Sequence, residues 1–209
     1  MNFPVRSLIT TTLLAFVLHG VAAGQNGFGQ LRVPPVPDNL RVPEGNVPFL
    51  KGSAVGTQNY MCLPGANGPA WTFLAPQATL FATIPWLREE LRVQVTTHFL
   101  SANPAEDGVP RPTWQSSFDT SAVWGRAIAN STDPKFVAAG AIPWLLVQVA
   151  GSQAGPTNGS ALLGTTFIHR VNTSGGIAPT SGCDDSSIGK LALVPYTTDY
   201  FFYKAAGRN

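Results

Sequence analysis

The stretch L-R-V-Q-V-T-T-H-F, Leu91–Phe99, alternates its side chains with a period of two. Leu91, Val93, Val95, Thr97 and Phe99 fall on one side, Arg92, Gln94, Thr96 and His98 on the other, as in a half-buried strand. That reading sets His98 on a polar face. No segment of the chain carries an amphipathic helical period of useful length, so the fold must be built from strands of this kind.

Outward from this strand, the chain breaks into short runs at the spacing of all-β domains. Toward the N-terminus lie Thr57–Cys62 and a hairpin of Ala70–Ala75 and Ala78–Ile84 around Pro76-Gln77, with Trp86–Leu91 as a helical turn or loop. Toward the C-terminus, Ser101–Arg111 reads as a surface loop rich in turn formers. Pro112–Phe118 and Ser121–Ala129 follow as two strands joined around Asp119-Thr120. Ala141–Ala150, the most continuous apolar run, predicts a central strand covered on both faces; Leu163–Asn172 and Leu191–Lys204 complete the set. The expected fold is all-β: an antiparallel β-sandwich or barrel-like sandwich, residues 55–204, in one domain. Residues 24–54, with V-P-P-V-P at 33–37, predict a Pro-rich irregular arm, and 205–209 a tail.

Composition narrows the function. Only 11% of the 209 residues are charged while 44% are hydrophobic, a profile that suits a turn-rich folded domain and not a disordered one. Met1–Arg6 is positive, Leu8–Val21 apolar, and Val21-Ala22-Ala23 small, so residues 1–23 read as a secretory signal peptide. The run is short of the roughly 20 apolar residues of a membrane span. The remaining 12 Lys and Arg and 11 Asp and Glu are scattered. Without a basic cluster to displace counterions, no nucleic-acid partner is expected, and no membrane span either. In an exported chain, Cys62 and Cys183 most simply form one disulfide.

The second decisive stretch is Thr166–Cys183, T-F-I-H-R-V-N-T-S-G-G-I-A-P-T-S-G-C, a strand broken at Gly175-Gly176. With Q-N-Y-M-C (58–62), W-T-F-L-A-P-Q-A-T-L (71–80), P-T-W (112–114), D-T-S-A-V-W-G (119–125), A-I-P-W-L-L (141–146) and V-P-Y-T-T-D-Y-F-F-Y (194–203), it resembles the domain of unknown function 3455 family. The resemblance covers about Val55–Lys204 and implies a secreted, β-rich protein with this two-cysteine pattern. It implies no established reaction. Some relatives carry a malate dehydrogenase label, but Gly24–Gly29, G-Q-N-G-F-G, has the wrong spacing for a dinucleotide fingerprint and precedes no helix, so no cofactor is expected. Two departures from the family pattern stand out: Ser101–Arg111 replaces a compact Gly-Pro turn, and Thr120 replaces a glycine.

Candidate site residues follow from chemistry. His98 and Asp119 are the catalytic candidates, since a His–carboxylate pair can tune a proton acceptor, with Arg170 a third candidate as a clamp for a carboxylate or a sugar diol. No G-x-S-x-G elbow accompanies them. The structural reading leads for these residues: Asp119 caps a turn, His98 is a satisfied polar-face residue, and Arg170 pairs with Asp199 or Asp119 and binds loop carbonyls. Trp71 and Trp144 read as core, whereas Trp114 and Trp86, near loops, are candidate stacking platforms for ligand, together with His98 and Arg170. His169 shares a face with Phe167 and Val171 and reads as packed, so a metal site of His98, His169 and Asp119 is not expected. Asn130 and Asn158 are candidate glycosylation sites in loops, and Asn172 a sequon expected to stay unmodified. The leading expectation is a secreted, non-catalytic ligand-binding domain, with a carbohydrate or cell-wall component as ligand. A secreted enzyme using His98 and Asp119 is the second, and a structural surface or matrix protein the third.

Overall fold

The computed structural model describes residues 31–84 and 91–207. Residues 1–23, expected to be a signal peptide, and Trp86 lie outside the described residues. Eight strands follow in order: β1 (Asn46–Leu63), β2 (Ala70–Ile84), β3 (Leu91–Asn103), β4 (Val109–Ser116), β5 (Ala122–Ser131), β6 (Trp144–Gln153), β7 (Thr165–Gly175) and β8 (Leu191–Ala205). Each pairs antiparallel with its sequence neighbour, and β8 returns to pair with β1, so one sheet closes into a barrel. All-β and antiparallel hold; the two-sheet sandwich does not. With β1 hydrogen-bonded on both sides there is no edge at which a second sheet could begin.

Closure comes from long, bent strands. β1 runs 18 residues and β2 and β8 run 15 each, and bulges interrupt the register at Asn59/Tyr60, Leu80/Phe81, Trp124/Gly125 and Val171/Ser174, among others. Each bulge adds a residue to one strand and sharpens its coil. Two expected breaks are strand instead. Pro76 lies inside β2, opposite Gln58 of β1, while the pairing of β2 with β3 begins only at Ala78↔His98. A proline is tolerated where the ladder is open on one side. Ser101–Arg111 is the tip of the β3–β4 hairpin, closed by Asp107 and Gly108 at positive φ. Asn46–Ala54, assigned to the arm from composition, already belongs to β1.

One of these bulges overturns the facing of β3. Leu80 pairs with Thr96 and Phe81 with Gln94, so Val95 is the extra residue. The period-two pattern shifts there: Val95, Thr96 and His98 are all buried, while Thr97 and Phe99 are only partly so. His98 therefore projects from the buried side of its strand, not from a solvated polar face.

Apolar burial occurs on both sides of the wall. Leu80, Val123, Ile168, Tyr200 and Phe202 pack in one cluster, and the same strands present the alternate residues Leu146, Val171, Phe201 and Tyr203 to a second one. Leu40, fully buried, joins this second cluster with Trp144, and its carbonyl accepts a hydrogen bond from His169 Nε2 at 2.5 Å. That bond leaves Nδ1 to accept from the Tyr203 hydroxyl at 2.9 Å, so both His169 nitrogens are used. Among the described residues no helix is long and apolar enough to cross a membrane.

Cys62 and Cys183 form a disulfide with a Cα separation of 5.4 Å, tying β1 to the segment that follows Gly175-Gly176 across 121 residues. Replacing both cysteines by alanine should cost about 4–5 kcal/mol through the freed unfolded chain. A thermal melt should then fall by about 10–20 °C; an unchanged melting temperature would show that the cross-link constrains nothing.

Candidate functional site

The strongest site lies where β2 and β3 part. A cavity of about 300 Å³ opens there, bounded by Tyr60, Pro76, His98, Trp114, Arg170 and Tyr200. Its remaining wall is apolar, from Phe73, Pro112, Ile142, Leu145 and Val147. Its size is at the low end for small-molecule sites. An eight-stranded barrel is just wide enough either to be filled by side chains or to hold one small ligand.

His98 and Trp114 form the cavity's inner wall. They face each other across the β3–β4 ladder, rings stacked with centroids 4.3 Å apart, and Tyr200 meets both edge-on. Gly125 makes this possible: a Cβ there would lie 2.4 Å from Val147 and 2.9 Å from the Trp114 indole. Trp114 is only 1% exposed, so it is not the solvent-facing platform its place near loops suggested. His98 Nδ1 lies 2.9 Å from the Thr113 carbonyl and, facing an acceptor, must carry the proton, which leaves Nε2 bare. Burial, opposed by that hydrogen bond and reinforced by the charge of Arg170, lowers the imidazole pKa to about 3. At ordinary pH His98 is a neutral acceptor and a poor proton store.

Arg170 is placed by the Thr166–Cys183 motif. Its Nε and Nη2 both donate to the Pro143 carbonyl, at 3.1 and 2.8 Å. That carbonyl is itself held, because the preceding Ile142 is tied at both ends: its N–H donates to Gly175 O at 2.9 Å and its C=O accepts from Thr173 Oγ1 at 2.6 Å. Gly176, at φ +84°, lets the chain turn between Ile142 and Tyr196, each 3.0 Å from where a Cβ would stand. Of the structural contacts expected for Arg170, the one with a loop carbonyl is made, at Pro143, and the pairing with Asp199 or Asp119 is not. Asp199 takes Lys51, Ser53 and Asn172 instead.

Gln58 Nε2, Trp114 Nε1 and the hydroxyls of Tyr196 and Tyr200 are buried and make no hydrogen bond of good geometry among the described residues, although Tyr196 lies beside Tyr200 and Gln58, and Tyr200 beside Arg170. Burial pushes both phenols up, partly offset by Arg170, so they stay protonated donors. Tyr60, by contrast, donates to Gly176 O at 2.7 Å.

Asp119 is not part of this site. Its Oδ1 accepts from the Ser121 hydroxyl at 2.7 Å and backbone N–H at 3.1 Å, and its Oδ2 from the Ala161 N–H at 2.8 Å. These bonds, that of Ala161 foremost, hold the carboxyl below the usual carboxylate range. Asp119 clasps a turn whose next residue, Thr120, has φ +57°, a conformation suited to the glycine of the family pattern. Among the described residues no three His, Cys, Asp or Glu side chains gather as metal ligands. Trp71, expected in the core, is partly exposed and donates to Ser181 O. Asn130 sits near the end of β5 and not in a loop, Asn158 in a turn, and both are exposed. Asn172, at φ +54°, uses its amide on Asp199 Oδ2.

Gln58 and Tyr200 were not among the sequence candidates. The signal was present: T-Q-N-Y-M-C alternates Gln58 with Tyr60 and Cys62, and T-D-Y-F-F aligns Tyr200 with Thr198 and Phe202. A glutamine on a strand face of buried residues needs a partner, and that requirement marks it.

A protein-family profile described as Protein of unknown function (DUF3455) matches residues 43–204, and the chain belongs to that family. No curated protein and no solved structure matches it.

The depressed pKa of His98 makes stability pH-dependent. The unfolded chain takes up a proton near the ordinary value of about 6.5, the folded one only near 3. The contribution of His98 is therefore complete above about pH 6.5 and is lost as pH falls toward 3. Between pH 7 and 5 urea unfolding should lose about 2 kcal/mol to His98. His169, also lowered by burial, adds in the same direction. In His98→Phe this loss should shrink by about that 2 kcal/mol; an unchanged pH dependence would show that His98 titrates normally in the fold.

Proposed function

We propose that the barrel is a non-catalytic binding protein for a small molecule held in the cavity between His98, Trp114, Arg170 and Tyr200. The observation that carries this reading is a mostly apolar cavity of about 300 Å³ whose lining includes a cation, Arg170, that forms no ion pair among the described residues. An apolar ligand body gains by leaving water for such a wall, and a polar or anionic group gains from the guanidinium.

Binding is favoured over turnover because the wall lacks reactive groups. Among the described residues no Ser, Cys, Lys, Asp or Glu lines the cavity, and the neutral His98 has no carboxylate partner. The His98/Asp119 enzyme reading loses its geometric support. The small, largely apolar volume also favours a compact ligand over a polysaccharide chain. The disulfide suits an oxidising compartment, which supports action outside the cell.

Ala127 lines the cavity yet is exposed, so a larger side chain there can plug the mouth without disturbing the interior. A thermal-shift screen of a charge-diverse small-molecule library should give stabilising compounds with the native barrel and lose them in Ala127→Trp, with the far-ultraviolet spectrum unchanged. Compounds that bind the plugged variant equally well, or polysaccharides as the sole ligands, would contradict the reading.

A further inference from the structure

Resting on that reading, the cavity also specifies the ligand's chemistry. We infer that the site takes a small monocarboxylic acid with an apolar body, its carboxylate against Arg170 and Tyr200 and its body against Trp114, Ile142 and Val147.

Charge is the first ground. Arg170 carries the one formal charge among the described residues lining the cavity, since His98 is neutral there. Among the described residues it forms no ion pair: the pairs present are Arg41–Asp38, Lys51–Asp199 and Arg111–Glu106. The two carboxylates expected to pair with it are fully engaged elsewhere. A guanidinium in a mostly apolar wall is unfavourable without an anion. Its Nε and Nη2 lean on Pro143, which leaves Nη1 to donate outward.

Hydrogen-bond polarity is the second ground. Arg170, Trp114, Tyr200 and Gln58 all line the cavity and carry N–H or O–H groups, and the indole and the guanidinium can only donate. A cationic ligand would set like charge against the guanidinium. A carboxylate offers about four acceptor positions and matches a single positive charge. A phosphate dianion would bring an excess negative charge into a wall with one cation, against the cost of burying unpaired charge.

The third ground is the rest of the wall. Phe73, Pro76, Pro112, Ile142, Leu145 and Val147 offer no polar side-chain atom, so the remainder of the ligand must be apolar to gain from burial. A second carboxylate would find no cation. The class is an aryl or short alkyl monocarboxylate, not a polar dicarboxylate.

The test is calorimetric titration of residues 24–209 with benzoate, phenylacetate, 3-phenylpropionate and hexanoate, each beside its primary amide, and with succinate and phenethylamine. At least one acid should bind about tenfold or more tightly than its amide, the worth of one charge-assisted contact. Succinate and phenethylamine should not bind. Arg170→Gln should erase the preference for acid over amide while leaving the amide within about threefold. Because Arg170 also holds Pro143, Tyr200→Phe provides a second variant, removing one donor without touching that bond; it should weaken the acid about fivefold and spare the amide. Equal affinity of acid and amide, preference for the amine or for succinate, or silence from all four acids would overturn the assignment. Ala127→Trp separates the two levels. Probes that bind it as well as the native barrel refute the cavity itself, whereas blocked probes without acid preference refute only the carboxylate.

Discussion

The bond from the Arg170 guanidinium to the Pro143 carbonyl is the constraint on which the interior depends. It reaches from β7 to the residue that precedes β6, and it works because Thr173 and Gly175 fix Ile142 beside it. One short motif therefore does three things: it points a cation inward, supplies the clamp that orients it, and turns the chain at Gly176 past Tyr196 toward Cys183. Loss of any member frees the guanidinium, whose flexible stem would otherwise carry the charge to solvent.

Closure of the sheet makes that placement possible. A sandwich core excludes polar groups by pressing two faces together, but a barrel has an interior that must be filled or occupied. Leu80, Val123 and Phe202 pack part of the apolar interior core. Elsewhere the parting of β2 from β3 below Ala78↔His98 leaves a mostly apolar space lined also by His98 and Arg170. The stability of the outer wall, with Leu40 and Tyr203 satisfying His169, compensates an interior that keeps unpaired polar atoms. Proteins depart from consistent polar satisfaction mainly where function requires it.

Much of this was legible in the residues. Low charge, dense turns and period-two runs mark an antiparallel all-β chain, and the parity of F-I-H-R-V separates His169 from Arg170 correctly. Three features were hidden for physical reasons. The bulge at Val95 leaves no trace in composition, yet it carries His98 to the buried side. Trp114 lies near loops in sequence, but β4 is short and its register with β3 stacks the indole on His98. Sandwich and barrel share the same local pattern, and only the β8–β1 pairing, separated by most of the chain, distinguishes them. Asp119 misleads because an Asp at a strand end serves equally well to hold a turn; its accepted bonds decide the matter.

The most direct test is a crystal structure of residues 24–209 grown with the tightest-binding carboxylic acid. The account predicts one molecule inside the barrel, its carboxylate within hydrogen-bond distance of Arg170 and Tyr200, with Arg170 still donating to the Pro143 carbonyl. An Arg170 swung out to solvent, or the acid bound only on the outer wall, would contradict it.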